Sequence, residues 1–153
     1  MSRPCPCTSK KTYDRCCEPF ILGKKQPQTA EQLMRSRFTA YALRKVDYLV
    51  ATTDEAKRAE LDPEDLASYC ASIACVSLKI VATELGGPND ETGVVKFHAS
   101  LQYGGKRTLH IERSTFAFSS RCGSLPSPDG GSMVRIQSSC SRWFCTMSRT
   151  APS

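Results

Sequence analysis

The sequence predicts an α+β fold in which helices pack on one face of a curved antiparallel sheet, preceded by a small zinc-binding module. Three observations support this prediction. Apolar residues recur at helical spacing in the first half of the chain, an alternating pattern follows from Val76 to Phe116, and four cysteines lie close together near the start. Helices followed by a meander of strands are typical of α+β domains.

Length and composition indicate one ordinary folded domain with a small appendage. The chain has 153 residues, of which 40% are hydrophobic and 24% charged, so it can bury a sizeable core. We find no signal-peptide pattern and no apolar stretch long enough to span a membrane, and therefore expect a cytoplasmic protein. Nine cysteines in a reducing compartment favour metal binding or buried thiols over disulfides.

The stretch "CPCTSKKTYDRCC" carries the strongest chemical signal. Two cysteine pairs separated by a short loop suffice to surround one ion with four thiolates, which is the usual structural zinc site. The sequence therefore predicts one structural Zn²⁺, with four ligands: Cys5, Cys7, Cys16 and Cys17. A disulfide or redox pair and an iron–sulfur cluster remain as alternatives, although disulfides within either pair would close very small, strained rings.

Charge is concentrated at the two ends of the chain. The formal net charge is +6, of which +4 belongs to residues 1–25 and +3 to residues 117–153, while the middle carries −1. A basic end favours a partner such as an acidic protein, a ribosome or a nucleic acid. We rank nucleic acid last, because zinc bound by four thiolates lowers the N-terminal charge to about +2 and the segment has few aromatic residues.

Three helices are predicted in the first half. Thr29 and Gln32 form a capping-box pattern that starts a helix at about Ala30. A short helix follows from Val46 to Ala51, and a third begins after Asp62, an N-cap followed by proline.

Three strands are predicted next, in "CVSLKIVATEL", "TGVVKFHASLQY" and "RTLHIERSTFAF", with turns at "GGPND" and "GGK". In the third strand we expect Leu109 and Ile111 to point inward, so that His98 and His110 lie on the opposite face of the sheet.

The tail from residue 119 to residue 153 is rich in serine and has no clear period. We predict that it is disordered and that the sheet lacks its last strand. An altered reading frame or an unusual splice product is our hypothesis for this tail.

The cysteine spacing resembles the SEC-C motif, the zinc module named from the C-terminus of the secretion motor SecA. Residues 1–25 are assigned to this module, and all four cysteines match its ligand positions. Thr8 and Lys10 stand where the motif usually has glycines, which tolerate a positive φ. In SecA the module contacts a chaperone and ribosomes, so the resemblance implies docking on a protein or a ribosome.

Residues 29–118 resemble the middle domain of the YchJ-like family, through "RSRFTAY" and "ERSTF". The resemblance implies a nuclear-transport-factor-two-like, or cystatin-like, cone with no assigned activity, and a homodimer formed through the sheet is a further expectation. Because they belong to these stretches, Arg35, Arg37 and Glu112 are predicted to form an ion network joining helix and sheet.

An enzyme is the alternative to a docking adaptor. Cone-shaped cups of this kind host isomerases and dehydratases, so His98 and His110 are the candidate acid–base residues. A strand histidine is more often a surface or hydrogen-bonded residue, and we therefore prefer the adaptor.

Overall fold

The computed structural model describes residues 3–119 and 142–145. In chain order, a single 3₁₀ turn (Tyr13–Arg15) is followed by α1 (Glu18–Ile21), α2 (Ala30–Ala42), α3 (Val46–Ala51), α4 (Glu55–Arg58), α5 (Pro63–Ser72), β1 (Ile73–Leu85), β2 (Thr92–Tyr103), β3 (Lys106–Ser119) and β4 (Arg142–Cys145). The strands form one antiparallel sheet in the order β1-β2-β3-β4. The predicted α+β class is confirmed.

The helices begin where the capping residues predicted. The Thr29 side chain accepts a hydrogen bond from the Gln32 amide at 3.1 Å, and the Gln32 side chain accepts one from the Gln28 amide. The Asp62 carboxylate accepts from the Glu64 amide at 2.8 Å. These bonds satisfy N–H groups that the first helical turn leaves free, which is why the boundaries could be predicted.

The sheet is built from a meander with tight connections. Gly104 and Gly105 form the two-residue turn between β2 and β3, both at positive φ, as hairpin turns of this length require. β1 departs from regular pairing between Cys75 and Ser77 and again between Ile80 and Ala82. Irregularities of this kind bend a strand and increase its twist.

Helix α2 occupies the centre of the fold. Leu33 and Phe38 pack with Val95, Phe97 and Phe116 of the sheet in the main core. A second cluster lies between α2, α3 and α5 and comprises Ala40, Leu49, Leu66 and Cys70. The helix thus buries one side on the sheet and another on its helical neighbours.

The prediction that Leu109 and Ile111 of β3 point inward was wrong. Leu109 and Ile111 are 58% and 70% exposed, whereas Ser114 and Phe116 are buried. Alternation divides a strand into two faces but does not say which one the helices cover. Here the even-numbered residues of β3 pair with the buried residues of β2, as in Val95 with Ser114.

A short fourth strand was not expected from the sequence. β4 pairs with the end of β3, with Ser119 opposite Arg142 and Phe116 opposite Cys145. Strand β4 belongs to the tail predicted to be disordered, and that prediction is corrected for these four residues; the rest of the tail lies outside the described residues. In the part of the chain that the structure describes, none of the helices is long and apolar enough to cross a membrane.

Candidate metal centre

The four cysteines of the N-terminal segment converge on one point. The sulfur atoms of Cys5, Cys7, Cys16 and Cys17 all lie within 4.8 Å of one another. Cys16 Sγ lies 3.5 Å from Cys7 Sγ and 3.8 Å from Cys17 Sγ. A regular tetrahedron with metal–sulfur bonds of about 2.3 Å has sulfur atoms roughly 3.8 Å apart, so the arrangement fits a four-coordinate metal ion.

Short backbone hydrogen bonds bring the two cysteine pairs together. The amide of Thr8 donates to the carbonyl of Cys5 at 3.0 Å, which turns the chain after the first pair. The amide of Cys5 donates to the carbonyl of Lys11, and the amide of Cys16 donates to the carbonyl of Tyr13. These two bonds fold the loop back and bring the second cysteine pair towards the first. Cys17 then precedes α1 as its N-cap.

The loop uses two non-glycine residues at positive φ. Thr8 has φ of 56° and Lys10 has φ of 69°, which are the two positions where the SEC-C motif usually has glycine. This conformation brings Cβ close to the following carbonyl oxygen and costs about 1 kcal/mol or more for such residues. Thr8 and Lys10 therefore adopt a conformation that glycine accommodates more easily, at the expense of local strain.

The cluster is buried in the same core as the α+β domain. Cys5, Cys7 and Cys17 are at most 4% exposed, and they pack in one cluster with Leu33 of α2 and Val95 of the sheet. Residues 1–25 are therefore not packed as a separate body. Detachment of this segment would expose part of the main core.

Three polar contacts join the cysteine segment to the domain. The Thr39 hydroxyl of α2 lies 3.7 Å from Cys5 Sγ. Arg35 donates to the carbonyl of Cys7 at 3.3 Å and pairs with Glu31 at 3.1 Å. The Thr8 hydroxyl bonds to both backbone groups of Leu78. Such contacts orient ligands that would otherwise be free to rotate.

The pKa values of the thiols in the cluster are shifted in different directions. Hydrogen bonds from Cys17 and Cys5 hold the pKa of Cys7 far below its usual range. The pKa of Cys17 is raised far above its usual range, chiefly by its hydrogen bond with Cys5, and burial raises the pKa of Cys16 to about 11. These directions favour the thiolate at Cys7 and the protonated thiol at Cys16 and Cys17, so binding of a metal ion to all four would release protons.

A cavity of about 380 Å³ opens beside the cluster. It is lined by residues of the cysteine segment and of α2, including Ser9, Lys11, Arg15, Cys16, Glu31 and Arg35. Cys16 is the partly exposed member of the four, and its sulfur lies 3.2 Å from the Ser9 hydroxyl. Cys17 also lines the cavity but is only 1% exposed, so Cys16 is the cysteine of the cluster that solvent reaches from this side.

The predicted ion network joining helix and sheet does not form among the described residues. Arg35 and Arg37 are two positions apart in α2, which places them on different sides of the helix. Arg35 faces the cysteine segment and pairs with Glu31. Glu112 is exposed on β3, and the ion pairs within residues 3–119 connect Arg35 with Glu31, and Lys96 and Arg113 with Glu84.

Arg37 has a structural role that the sequence did not reveal. Its side chain is buried and donates to the carbonyl of Leu49 at 3.0 Å and to the Thr52 hydroxyl at 2.6 Å. These groups lie at the C-terminal end of α3, where a cation is favourable. The only sequence signal was a basic residue within an otherwise apolar helix face.

The two histidines lie on opposite faces of the sheet. His98 pairs with Ile111 on the face whose apolar residues are exposed. His110 pairs with buried Ala99 and so lies on the face that the helices cover. The expectation that both histidines lie on the face opposite Leu109 and Ile111 was therefore wrong for His98. The two imidazoles lie on different sides of the sheet and do not form one acid–base pair.

Comparison with known proteins shows to which family this chain belongs. Residues 29–122 match the family described as "YchJ, middle NTF2-like domain". A UPF0225 protein of Geobacter sulfurreducens is 39% identical over 116 residues, which cover 76% of this chain and 72% of that protein. A UPF0225 protein of Corynebacterium efficiens is 47% identical over 96 residues, which cover 62% of this chain and 69% of that protein.

Two solved structures resemble the fold. A SEC-C motif-containing protein from Psychrobacter arcticus has a TM-score of 0.77 at 24% identity, covering 99% of this chain and 84% of that one. The solution structure of a SEC-C motif-containing protein from Rhodopseudomonas palustris has a TM-score of 0.73 at 29% identity, covering 98% of this chain and 100% of that one.

Proposed function

Because the chain belongs to the family with the YchJ middle NTF2-like domain, and its N-terminal cysteines form a tetrahedral cluster, we propose that it is a zinc-binding docking adaptor. In this proposal one structural Zn²⁺ holds residues 1–25 on the domain, and the outer side of this segment docks on a protein or a ribosome. The observation that carries the proposal is the burial of the cysteine cluster in the shared core.

Zinc is favoured by the donor set. Four thiolates at tetrahedral spacing suit a structural Zn²⁺, and three of the four are almost fully buried, which leaves no open coordination position of the kind that catalytic zinc uses. We expect one equivalent of zinc in the purified protein, measured by elemental analysis. The double substitution of Cys16 and Cys17 by Ser should abolish zinc binding; a variant that keeps its zinc would contradict the site.

Docking is supported by the distribution of charge. The cysteine side of the segment faces the domain, whereas six basic side chains are exposed on it: Arg3, Lys10, Lys11, Arg15, Lys24 and Lys25. With the charge of a zinc–thiolate centre counted, this outer surface remains basic by about two charges. An acidic surface of a protein or ribosome is the partner that such charge favours, and we place the protein in the cytoplasm, where ribosomes are available.

Affinity purification tests the adaptor. Wild type is compared with a variant in which Lys10, Lys11 and Arg15 are changed to Glu, and with a matched variant that carries the same change at three exposed positions of the sheet: Lys79, Lys106 and Arg107. We expect the first variant to lose partners that the matched variant keeps. Equal recovery of the same proteins by all three would contradict docking through the zinc module.

A homodimer through the sheet is a second proposal, which rests on a separate observation. Leu109 and Ile111 lie side by side on the outer face of β3, at 58% and 70% exposure. We propose that these two aliphatic side chains form the centre of an association surface and that a second copy of this chain covers it. Analytical ultracentrifugation should show a dimer that Ile111→Lys converts to a monomer; a monomeric wild type would contradict it.

A further inference from the structure

We propose that Cys16 is the residue through which a hydroperoxide attacks the four-cysteine cluster, and that its oxidation to a disulfide with Cys7 releases the metal ion. The proposal goes beyond docking, because it concerns the chemistry of the cluster and not its partner. Three observations carry it: the unequal burial of the four cysteines, the cavity that Cys16 and the buried Cys17 line, and the spacing of the sulfur atoms.

Burial separates Cys16 from the other three cysteines. Cys7 is 0% exposed, Cys17 1% and Cys5 4%, so a reagent in solvent reaches none of them without local unfolding. Cys16 is partly exposed and lines the cavity of about 380 Å³. This space is large enough to admit a small reagent, and attack on the native cluster must therefore start at Cys16.

The surroundings of Cys16 favour reaction once a bound metal ion holds its sulfur as a thiolate. Lys11 and Arg15 line the same cavity, and neither takes part in an ion pair within the described residues. The Ser9 hydroxyl lies 3.2 Å from the sulfur and can donate to it. Reactive cysteines typically lie in such basic, partly exposed places, and a cysteine that ligates a metal ion is already a thiolate.

The spacing of the sulfur atoms selects the partner. Cys7 Sγ lies 3.5 Å from Cys16 Sγ, and Cys17 Sγ lies 3.8 Å away. Adjacent residues hold their Cα atoms about 3.8 Å apart, which is below the usual range for a disulfide. Cys7 is nine residues distant in sequence and has no such constraint, so it is favoured over Cys17 as the resolving cysteine. Cys5, whose sulfur also lies within 4.8 Å, is the alternative pairing that disulfide mapping tests.

The reaction balances with a hydroperoxide as the oxidant. The Cys16 thiolate attacks the terminal peroxide oxygen, the O–O bond breaks, and a sulfenic acid forms while the leaving oxygen takes a proton from water. The Cys7 thiolate then attacks the sulfenic sulfur, the S–S bond forms, and hydroxide leaves and is protonated. The two thiolates lose two electrons in all, the hydroperoxide is reduced to an alcohol (water, for hydrogen peroxide) and water, and two of the four metal ligands are lost.

Time-resolved alkylation of the zinc-loaded full chain tests the first step. Iodoacetamide is added below one equivalent, and each cysteine peptide is quantified by mass spectrometry. Among the four ligands we expect Cys16 to react about tenfold faster than the others. If Cys5, Cys7 or Cys17 reacts first, or if all four react together, the proposal is overturned. This test needs no variant and so does not depend on the folding of a cysteine mutant.

Hydrogen peroxide tests the second step. Zinc release, followed with a colorimetric chelator, should proceed at the same rate as formation of a Cys7–Cys16 disulfide identified by peptide mapping. Zinc release without this disulfide, or with a different pairing among the four, contradicts the proposal. Cys75→Ser is the control, because Cys75 is a partly exposed cysteine outside the cluster; its release rate should equal that of wild type.

The role of the cavity is tested with charged and neutral reagents. Changing both Lys11 and Arg15 to Gln should lower the rate ratio of iodoacetate to iodoacetamide at Cys16 about threefold, because the anion loses local attraction. The matched variant changes Lys24 and Lys25 to Gln, which removes the same charge outside the cavity. An equal fall in both variants would show that net charge, and not the cavity, governs access.

Discussion

The hydroxyl of Thr8 lies between the two backbone groups of Leu78, donating to its carbonyl at 2.8 Å and accepting from its amide at 3.1 Å. β1 is an edge strand, and its outward backbone groups at Leu78 would otherwise lack a partner. One side chain of the cysteine segment thus replaces a neighbouring strand at this point. The contact joins residue 8 to residue 78 and fixes the cluster against the sheet.

Removing this hydroxyl should loosen the attachment. Thr8→Ala loses both hydrogen bonds and leaves two polar groups of Leu78 without a partner, so we expect a loss of about 1–2 kcal/mol in the free energy of unfolding. Thr8→Ser keeps the hydroxyl and is the matched control. Urea denaturation measures both; equal stability of the Ala and Ser variants would show that the contact contributes nothing.

Replacing the strained Lys10 by glycine should stabilise the protein. Lys10 has φ of 69°, and glycine adopts this conformation without the Cβ penalty. Part of the gain is lost because glycine has more freedom in the unfolded chain, and we expect Lys10→Gly to gain about 0.5–1 kcal/mol. Lys10→Ala removes the same charge but keeps the strain, so it should not stabilise. A thermal shift for Ala equal to that for Gly would contradict this reason.

The buried guanidinium of Arg37 should matter for stability. Arg37→Met leaves the carbonyl of Leu49 without this donor and removes a cation from the end of α3, and we expect a loss of about 2–4 kcal/mol. Arg107→Met, at an exposed position on β3, is the control and should change stability by less than about 0.5 kcal/mol. Comparable losses in chemical denaturation of the two variants would exclude a specific role for Arg37.

Gly93 lies at the start of β2 and has no room for a side chain, because it packs against the preceding turn and α2. A Cβ added at Gly93 would lie 2.5 Å from the Cα of Gly86 and 3.0 Å from the Cβ of Ala30. Because the first of these is backbone, Gly93→Ala should cost about 1–3 kcal/mol. At Gly87 the nearest atom is a carboxylate oxygen of Asp90 at 3.3 Å, which can move. Gly87→Ala should therefore cost less, as thermal unfolding will show.

Metal removal should destabilise the whole domain and not only its N-terminus, because the cysteines share the main core. We expect a chelator to lower the melting temperature of the sheet, followed by circular dichroism. The pKa values of Cys16 and Cys17 are raised, so metal binding must displace their protons, and affinity should weaken as pH falls. An unchanged melting temperature after complete metal removal would show that the segment folds independently.

Local signals explain what could be predicted. The N-caps Thr29 and Asp62 and the glycine pair of the second turn act through neighbouring backbone groups, so their effects are encoded within a few residues. The four cysteines were identified by spacing alone, because the loop between them is short enough for backbone bonds to close it. The alternation of β2 in the sequence likewise matches its burial, since Val95, Phe97 and Ala99 are all buried.

The sequence by itself therefore determined the order of the three longer helices and of the first three strands, the starts of α2, α3 and α5, and the four cysteines of the candidate metal centre. Only the tertiary structure decided which face of β3 is buried, where Arg37 finds its acceptors, and that the cysteines lie in the domain core and not in a separate module. These features depend on contacts between residues far apart in the chain, such as Thr8 with Leu78 and Cys5 with Thr39. Such contacts form only when the elements pack, and periodicity along one segment carries no information about its distant partners.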